Sequence, residues 1–225
     1  MNTELTTYEE KNVAISMREV ISMIIIIFGV MYGIGFLNII YDSSLYPWYV
    51  DHLIPPLTFF TIILIYAPAR NCCVQLVKSM QFNNLKHYVT IVMMMIVLLI
   101  YLAVLNLVLP HGLRVNESNL VIEPTKSEII LYVVVLTTFA PIWEELVFRG
   151  MLFMKLSQRF SILSSAVISA SIFTLGHPLT VGSVLYIFGG GICLAYTYKK
   201  THNLLVPWGI HLLNNSFFIL VNFQL

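Results

Sequence analysis

Seven apolar segments follow one another along the chain, at roughly Val20 to Tyr41, His52 to Ala67, Tyr88 to Leu109, Ile129 to Phe148, Ile162 to Leu175, Val181 to Tyr198, and Leu204 to Phe223. Most reach or approach the ~20 residues a helix needs to cross ~30 Å of hydrocarbon. The pattern predicts an all-α fold, a polytopic transmembrane helical bundle of about seven spans. The second segment contains Pro55 and Pro56 and the fifth is short. Proline bends a helix and removes a backbone donor, so a bend is expected in the second segment.

Composition agrees with this pattern. Hydrophobic residues make up 58% of the chain and charged residues 10%, against about 25% charged in a soluble domain. There is too little polar surface to coat a water-soluble globule. The first apolar run follows Lys11 and Arg18 but is longer than a ~7–15 residue signal-peptide core, so it is expected to stay as an anchor. With the N-terminus inside, the inner segments hold Lys11, Arg18, Arg70, Lys78, Lys86, Arg149, Lys155, Arg159, Lys199 and Lys200, and only Arg114 and Lys126 fall outside. This asymmetry predicts a cytoplasmic N-terminus and an external C-terminus. The expected location is the bacterial plasma membrane, with the lipid bilayer as surroundings. A net charge of +1 gives no basic face for phosphates, so no nucleic-acid partner is expected. Cys72, Cys73 and Cys193 show neither CxxC spacing nor an even framework. They read as apolar filler.

No repeat of 20 to 50 residues appears, which argues against solenoids. One integrated membrane domain is expected: residues 1–127 supply three spans and an outer loop, and residues 128–225 form a four-helix core. The polar stretch Pro110 to Ser127 is that loop and contains a glycosylation sequon at Asn116 and Ser118. Gly189, Gly190 and Gly191 lie inside the sixth span, where missing side chains let a neighbouring helix approach closely.

The polar groups inside the apolar runs carry the chemistry. Of eleven carboxylates, only Glu144 and Glu145 sit well inside a span. An ionised acid there costs at least ~2.5 kcal/mol, which marks it as functional by default. Among six histidines, His52, His87, His111 and His202 lie at span edges, whereas His177 and His211 lie within or at the deep end of apolar runs. A cytoplasmic turn at Phe160 puts Glu144 about 24 Å and His177 about 25 Å along antiparallel helices, so the two are level. His211 and Asn215 stand about 14 and 20 Å beyond His202. All four meet in one cavity if Pro141 or Pro178 supplies a break or tilt. Glu145 and Arg149 are four apart, in the favourable acid-before-base order, and predict a buried ion pair. Glu144 is rotated about 100° away by the helical period and is left to face the cavity as a general base. His211 and Asn215 share a face, and their N–H groups suit a developing oxyanion.

Glu144-Glu145-Leu-Val-Phe-Arg149 matches EExxxR, Phe173-Thr-Leu-Gly-His177 matches FxxxH, and His211-Leu-Leu-Asn-Asn215 matches HxxxN. Together, in this order and on three successive candidate helices, they resemble the CPBP family of intramembrane proteases. That family includes the type-two CaaX prenyl proteases and bacterial proteins linked to bacteriocin processing and self-immunity, formerly called the abortive-infection family. The resemblance covers about Ile129 to Phe223. It implies an endopeptidase acting on a membrane peptide or protein substrate, with Glu144 and His177 activating water and His211 and Asn215 holding the oxyanion. Phe173 would pack beside the site, and Glu145 and Arg149 would be structural. Members are often labelled metalloproteases; a zinc enzyme would use Glu144, His177 and His211 as ligands. The HExxH signature is missing, and a glutamate-based mechanism without a metal is the reading preferred.

Two other classes compete. A non-catalytic bacteriocin-immunity or regulatory scaffold would use the same fold without turnover, yet would have no chemical need for the full motif set. A proton-coupled transporter would relay charge through membrane carboxylates. Against it, the intramembrane ionisable groups all lie in the second half and no internal repeat suggests alternating access.

Overall fold

The computed structural model describes residues 15–41, 50–109, 125–177 and 179–223. Among the described residues the fold is all-helical, with eight helices and no strand. They are α1 (Met17–Tyr41), α2 (Val50–Ile65), α3 (Ala67–Lys78), α4 (Leu85–Val108), α5 (Lys126–Ser157), α6 (Ile162–Leu175), α7 (Val181–Thr201) and α8 (Leu205–Phe223). The polar loop at residues 110–124 with its sequon, and Pro178, lie outside the described residues.

Each of the seven apolar segments forms a helix. By length and composition α1, α4, α5 and α7 are able to cross a membrane singly, whereas α6 and α8 are apolar but shorter. Their outward faces are apolar: Leu107 is 85% exposed and Ile25 64%. Such faces suit lipid rather than water, and the chain is an integral membrane protein.

The bend expected near Pro55 and Pro56 occurs later. Both prolines sit inside α2, which runs to Ile65 before the chain turns by 107° into α3. Tyr66 is extended there, and Pro68 stands in the first turn of α3, where its missing N–H is harmless. Arg70 donates to the Leu64 carbonyl at 2.9 Å, which satisfies a group left over at the end of α2. The helix α3 was not expected from the apolar pattern, because it is amphipathic. It buries Ala69, Cys72, Cys73 and Leu76, one face at helical spacing, and the cysteines pack as apolar filler.

At the centre lies α5. It opens with a capping box, Thr125 accepting from the Glu128 amide and Glu128 accepting from the Thr125 amide. Two stretches of it, Val135–Phe139 and Glu145–Phe153, are wound as wider π-helix. All nine residues of the second stretch are buried, as expected of a helix surrounded on every side. Val147, Met151 and Leu152 anchor the main core with Phe59 of α2, Ala166 and Phe173 of α6, and Ile27 of α1. A smaller core joins Ile91 and Leu98 of α4 to Leu194 of α7 and Val206 and Ile210 of α8.

Small residues set the spacing of α5, α6 and α7. Ser165, Ala166, Ser169 and Ala170 are buried along α6, and Ser169 donates to the Phe148 carbonyl at 2.9 Å. A Cβ on Gly191 would come within 2.9 Å of the Ala170 Cβ. On Gly189 it would lie 2.7 Å from the Tyr101 ring. The glycine run therefore acts through close packing at two of its three positions.

Candidate active site

Glu144 and Glu145 stand where α5 changes from α to π winding. Arg149 Nη1 donates to Glu145 Oε1 at 2.8 Å, and both side chains are essentially inaccessible. The expected ion pair is present. Its guanidinium lies 4.3 Å above the Phe173 ring and reaches the Gly191 carbonyl at 3.5 Å. A cation buried here is thus held by a carboxylate, an aromatic face and a backbone oxygen.

Glu145 has a second partner that the sequence did not reveal: His211 Nδ1 lies 2.9 Å from Glu145 Oε1. That oxygen already accepts from Arg149, so the imidazole is the donor and Nδ1 carries a hydrogen. The other ring nitrogen, Nε2, faces Glu144 Oε2 at 3.5 Å. His211 therefore stands between the two carboxylates.

His177 follows the end of α6, one residue beyond Gly176. Its Nδ1 is 3.0 Å from the Phe173 carbonyl. A carbonyl only accepts, so Nδ1 carries the hydrogen and Nε2 keeps its lone pair. Phe173 packs against both histidines, its ring centroid 4.6 Å from that of His177 and 5.8 Å from that of His211.

Asn215 has one of its two amide hydrogens already engaged. Asn215 Nδ2 donates to the Leu136 carbonyl at 2.9 Å. The cause lies in α5. In the π stretch the Ala140 N–H reaches back five residues to the Val135 carbonyl. The next such bond would run from residue 141 to Leu136, and Pro141 has no N–H to give. Asn215 supplies the missing donor. Pro141 thus shapes the site by freeing a carbonyl while α5 continues through it as helix; Pro178, the other residue available to supply a break or tilt, lies outside the described residues.

Glu144, His177, His211 and Asn215 nevertheless line one cavity, of about 410 Å³, between α5, α7, α8 and the end of α6. Asn214 and Tyr186, which the motifs do not include, line it too. Among the described residues no three His, Cys, Asp or Glu side chains are grouped to hold a metal ion. The set Glu144, His177 and His211 is not drawn together as ligands in this arrangement.

The fold and the cavity define a polytopic helical membrane protein with paired carboxylates, two histidines and an amide gathered among its trailing helices. Residues 126–217 match a family model described as "Type II CAAX prenyl endopeptidase Rce1-like". A Bacillus subtilis (strain 168) protein named "Putative membrane peptidase YdiL" is 27% identical over 111 residues, 49% of this chain and 45% of that protein. The match thus spans under half the length of that curated relative. No solved structure matches. The chain is similar to that family over the matched region, which runs from α5 into α8 and contains every motif residue.

Proposed function

We propose that the chain is an intramembrane endopeptidase that hydrolyses a membrane-inserted or lipidated peptide near its cytoplasmic end. The observation that carries this reading is the shared cavity: Glu144, His177, His211 and Asn215 all open onto it within a membrane bundle. The family match and the name of the Bacillus subtilis relative support peptidase chemistry.

In this mechanism a water sits between Glu144 and His177 Nε2. Glu144 takes one proton from it as general base, while the His177 lone pair accepts its other hydrogen and aims the oxygen. The oxygen attacks the scissile carbonyl and the carbonyl π electrons move onto oxygen. That oxyanion is held by His211, as an imidazolium with Nδ1–H on Glu145 and Nε2–H on the oxyanion, and by the second amide hydrogen of Asn215. Collapse of the intermediate breaks the C–N bond, and Glu144 returns its proton to the leaving amine. Glu145 is a positioning residue, because it fixes the ring of His211 from behind.

Purified protein incubated with candidate membrane peptides, with Glu144→Ala in parallel, tests the assignment by mass spectrometry. Cleavage by the wild type alone is expected. It should persist after chelation has removed metal to a level confirmed by elemental analysis. Activity lost on stripping and regained with stoichiometric zinc would overturn the glutamate mechanism and leave the peptidase. Intact native peptide in both samples would favour an immunity or regulatory scaffold.

A further inference from the structure

Two adjacent asparagines face the cavity, and the motif names only the second. Asn215 has an amide hydrogen committed to the carbonyl that Pro141 leaves free. Asn214 is held differently. The Tyr186 hydroxyl donates to Asn214 Oδ1 at 2.5 Å. This fixes the amide by its oxygen, and Nδ2 takes no partner among the described residues while the residue lines the cavity. Asn214 is three residues from His211, so the two share a face of α8.

Tyr186 is itself braced. It is buried, its ring stacks on Tyr101 with centroids 5.9 Å apart, and Phe218 packs edge-on at 5.4 Å. Tyr101 is anchored by its hydroxyl, which donates to the Leu185 carbonyl at 2.8 Å, and it approaches α7 only because residue 189 is glycine. Three helices thus hold one amide by its acceptor end. Asn214 is only partly buried, so its N–H groups open onto the cavity, where a bound molecule can supply the acceptor.

We propose that Asn214 is a substrate-positioning residue whose amide N–H, aligned by Tyr186, donates to a main-chain carbonyl of the bound peptide beside the scissile bond. The inference rests on the peptidase reading. Extended peptide backbone presents such carbonyls whatever its side chains, so the contact fixes the register of the peptide rather than its sequence. Neither residue enters the hydrolytic step.

The test uses a membrane peptide that the wild type cleaves and follows kcat, KM and thermal stability for Asn214→Leu and Tyr186→Phe. A neutral hydrogen bond made equally in the bound and transition states appears in KM alone. Asn214→Leu should raise KM about 3- to 10-fold, the range for one such bond, with kcat and melting temperature near wild type. Tyr186→Phe keeps the donor but loosens it, and should raise KM less. A peptide with its carbonyls reduced to methylene one at a time should reveal one position at which Asn214→Leu no longer matters. Should Asn214→Leu fail to insert, Asn214→Ser, which retains a donor on a shorter arm, is expected to show an intermediate KM. Wild-type kinetics in Asn214→Leu, or equal losses of stability and kcat in both variants, would overturn the assignment and leave the peptidase. No cleavage by the wild type refutes the peptidase reading, and this proposal falls with it.

Discussion

Glu145 Oε1 receives hydrogens from both Arg149 and His211, so the two neighbouring glutamates are expected to respond differently to the same substitution. Glu144→Gln keeps shape and insertion but cannot accept a proton, and cleavage should cease with the melting temperature little changed. Glu145→Gln leaves Arg149 buried without its counter-charge, a loss on the order of 3–5 kcal/mol, and releases His211 as well. Stability and activity should fall together, read by thermal melting alongside the cleavage assay. A stable, inactive Glu145→Gln beside an active Glu144→Gln would reverse the two roles. The Glu145–Arg149 pair was legible in the sequence because four-residue spacing on a helix is a local rule. The His211 contact was not, since it joins positions 66 residues apart and depends on how α8 docks. His87 shows the same limit. Placed at a span edge by sequence, it is buried and bonded to Asn203 at 2.8 Å across 116 residues.

Element boundaries were legible from the apolar runs, and even the short Ile162–Leu175 helix falls where the pattern put it. What hydropathy could not supply was α3, whose polar and apolar residues average out, and the π winding of α5, which changes the turn without changing composition. Packing between elements gives a direct test. Gly189→Ala sets a methyl 2.7 Å from the Tyr101 ring. Tyr101 must move, and overpacking of this kind costs about 1–3 kcal/mol. The variant should melt lower than the wild type. Gly190→Ala, whose nearest neighbour is Leu98 at 4.0 Å, should not.

For the molecule as a whole, the ten-to-two division of Lys and Arg between alternate loops predicts a topology. A reporter after Leu225 should read as external and one near Lys78 as cytoplasmic; the same side for both would sink the seven-span arrangement. The wide turn at Val135–Phe139 bears on a different kind of change, that of chain length. A π turn accommodates one residue more than an α turn, as a vernier takes up one division. Deleting Thr138 should therefore let α5 close to ordinary α winding, with Ala140 bonding Val135 at four-residue separation and Pro141 still opposite Leu136. The bearing of Glu144 would be preserved, and insertion and cleavage should survive. Inserting one alanine after Thr138 leaves no slack, swings Glu144 by about 100°, and should abolish cleavage. The helix would then tolerate shortening by one residue and refuse lengthening by one, an asymmetry that a uniform α-helix does not have.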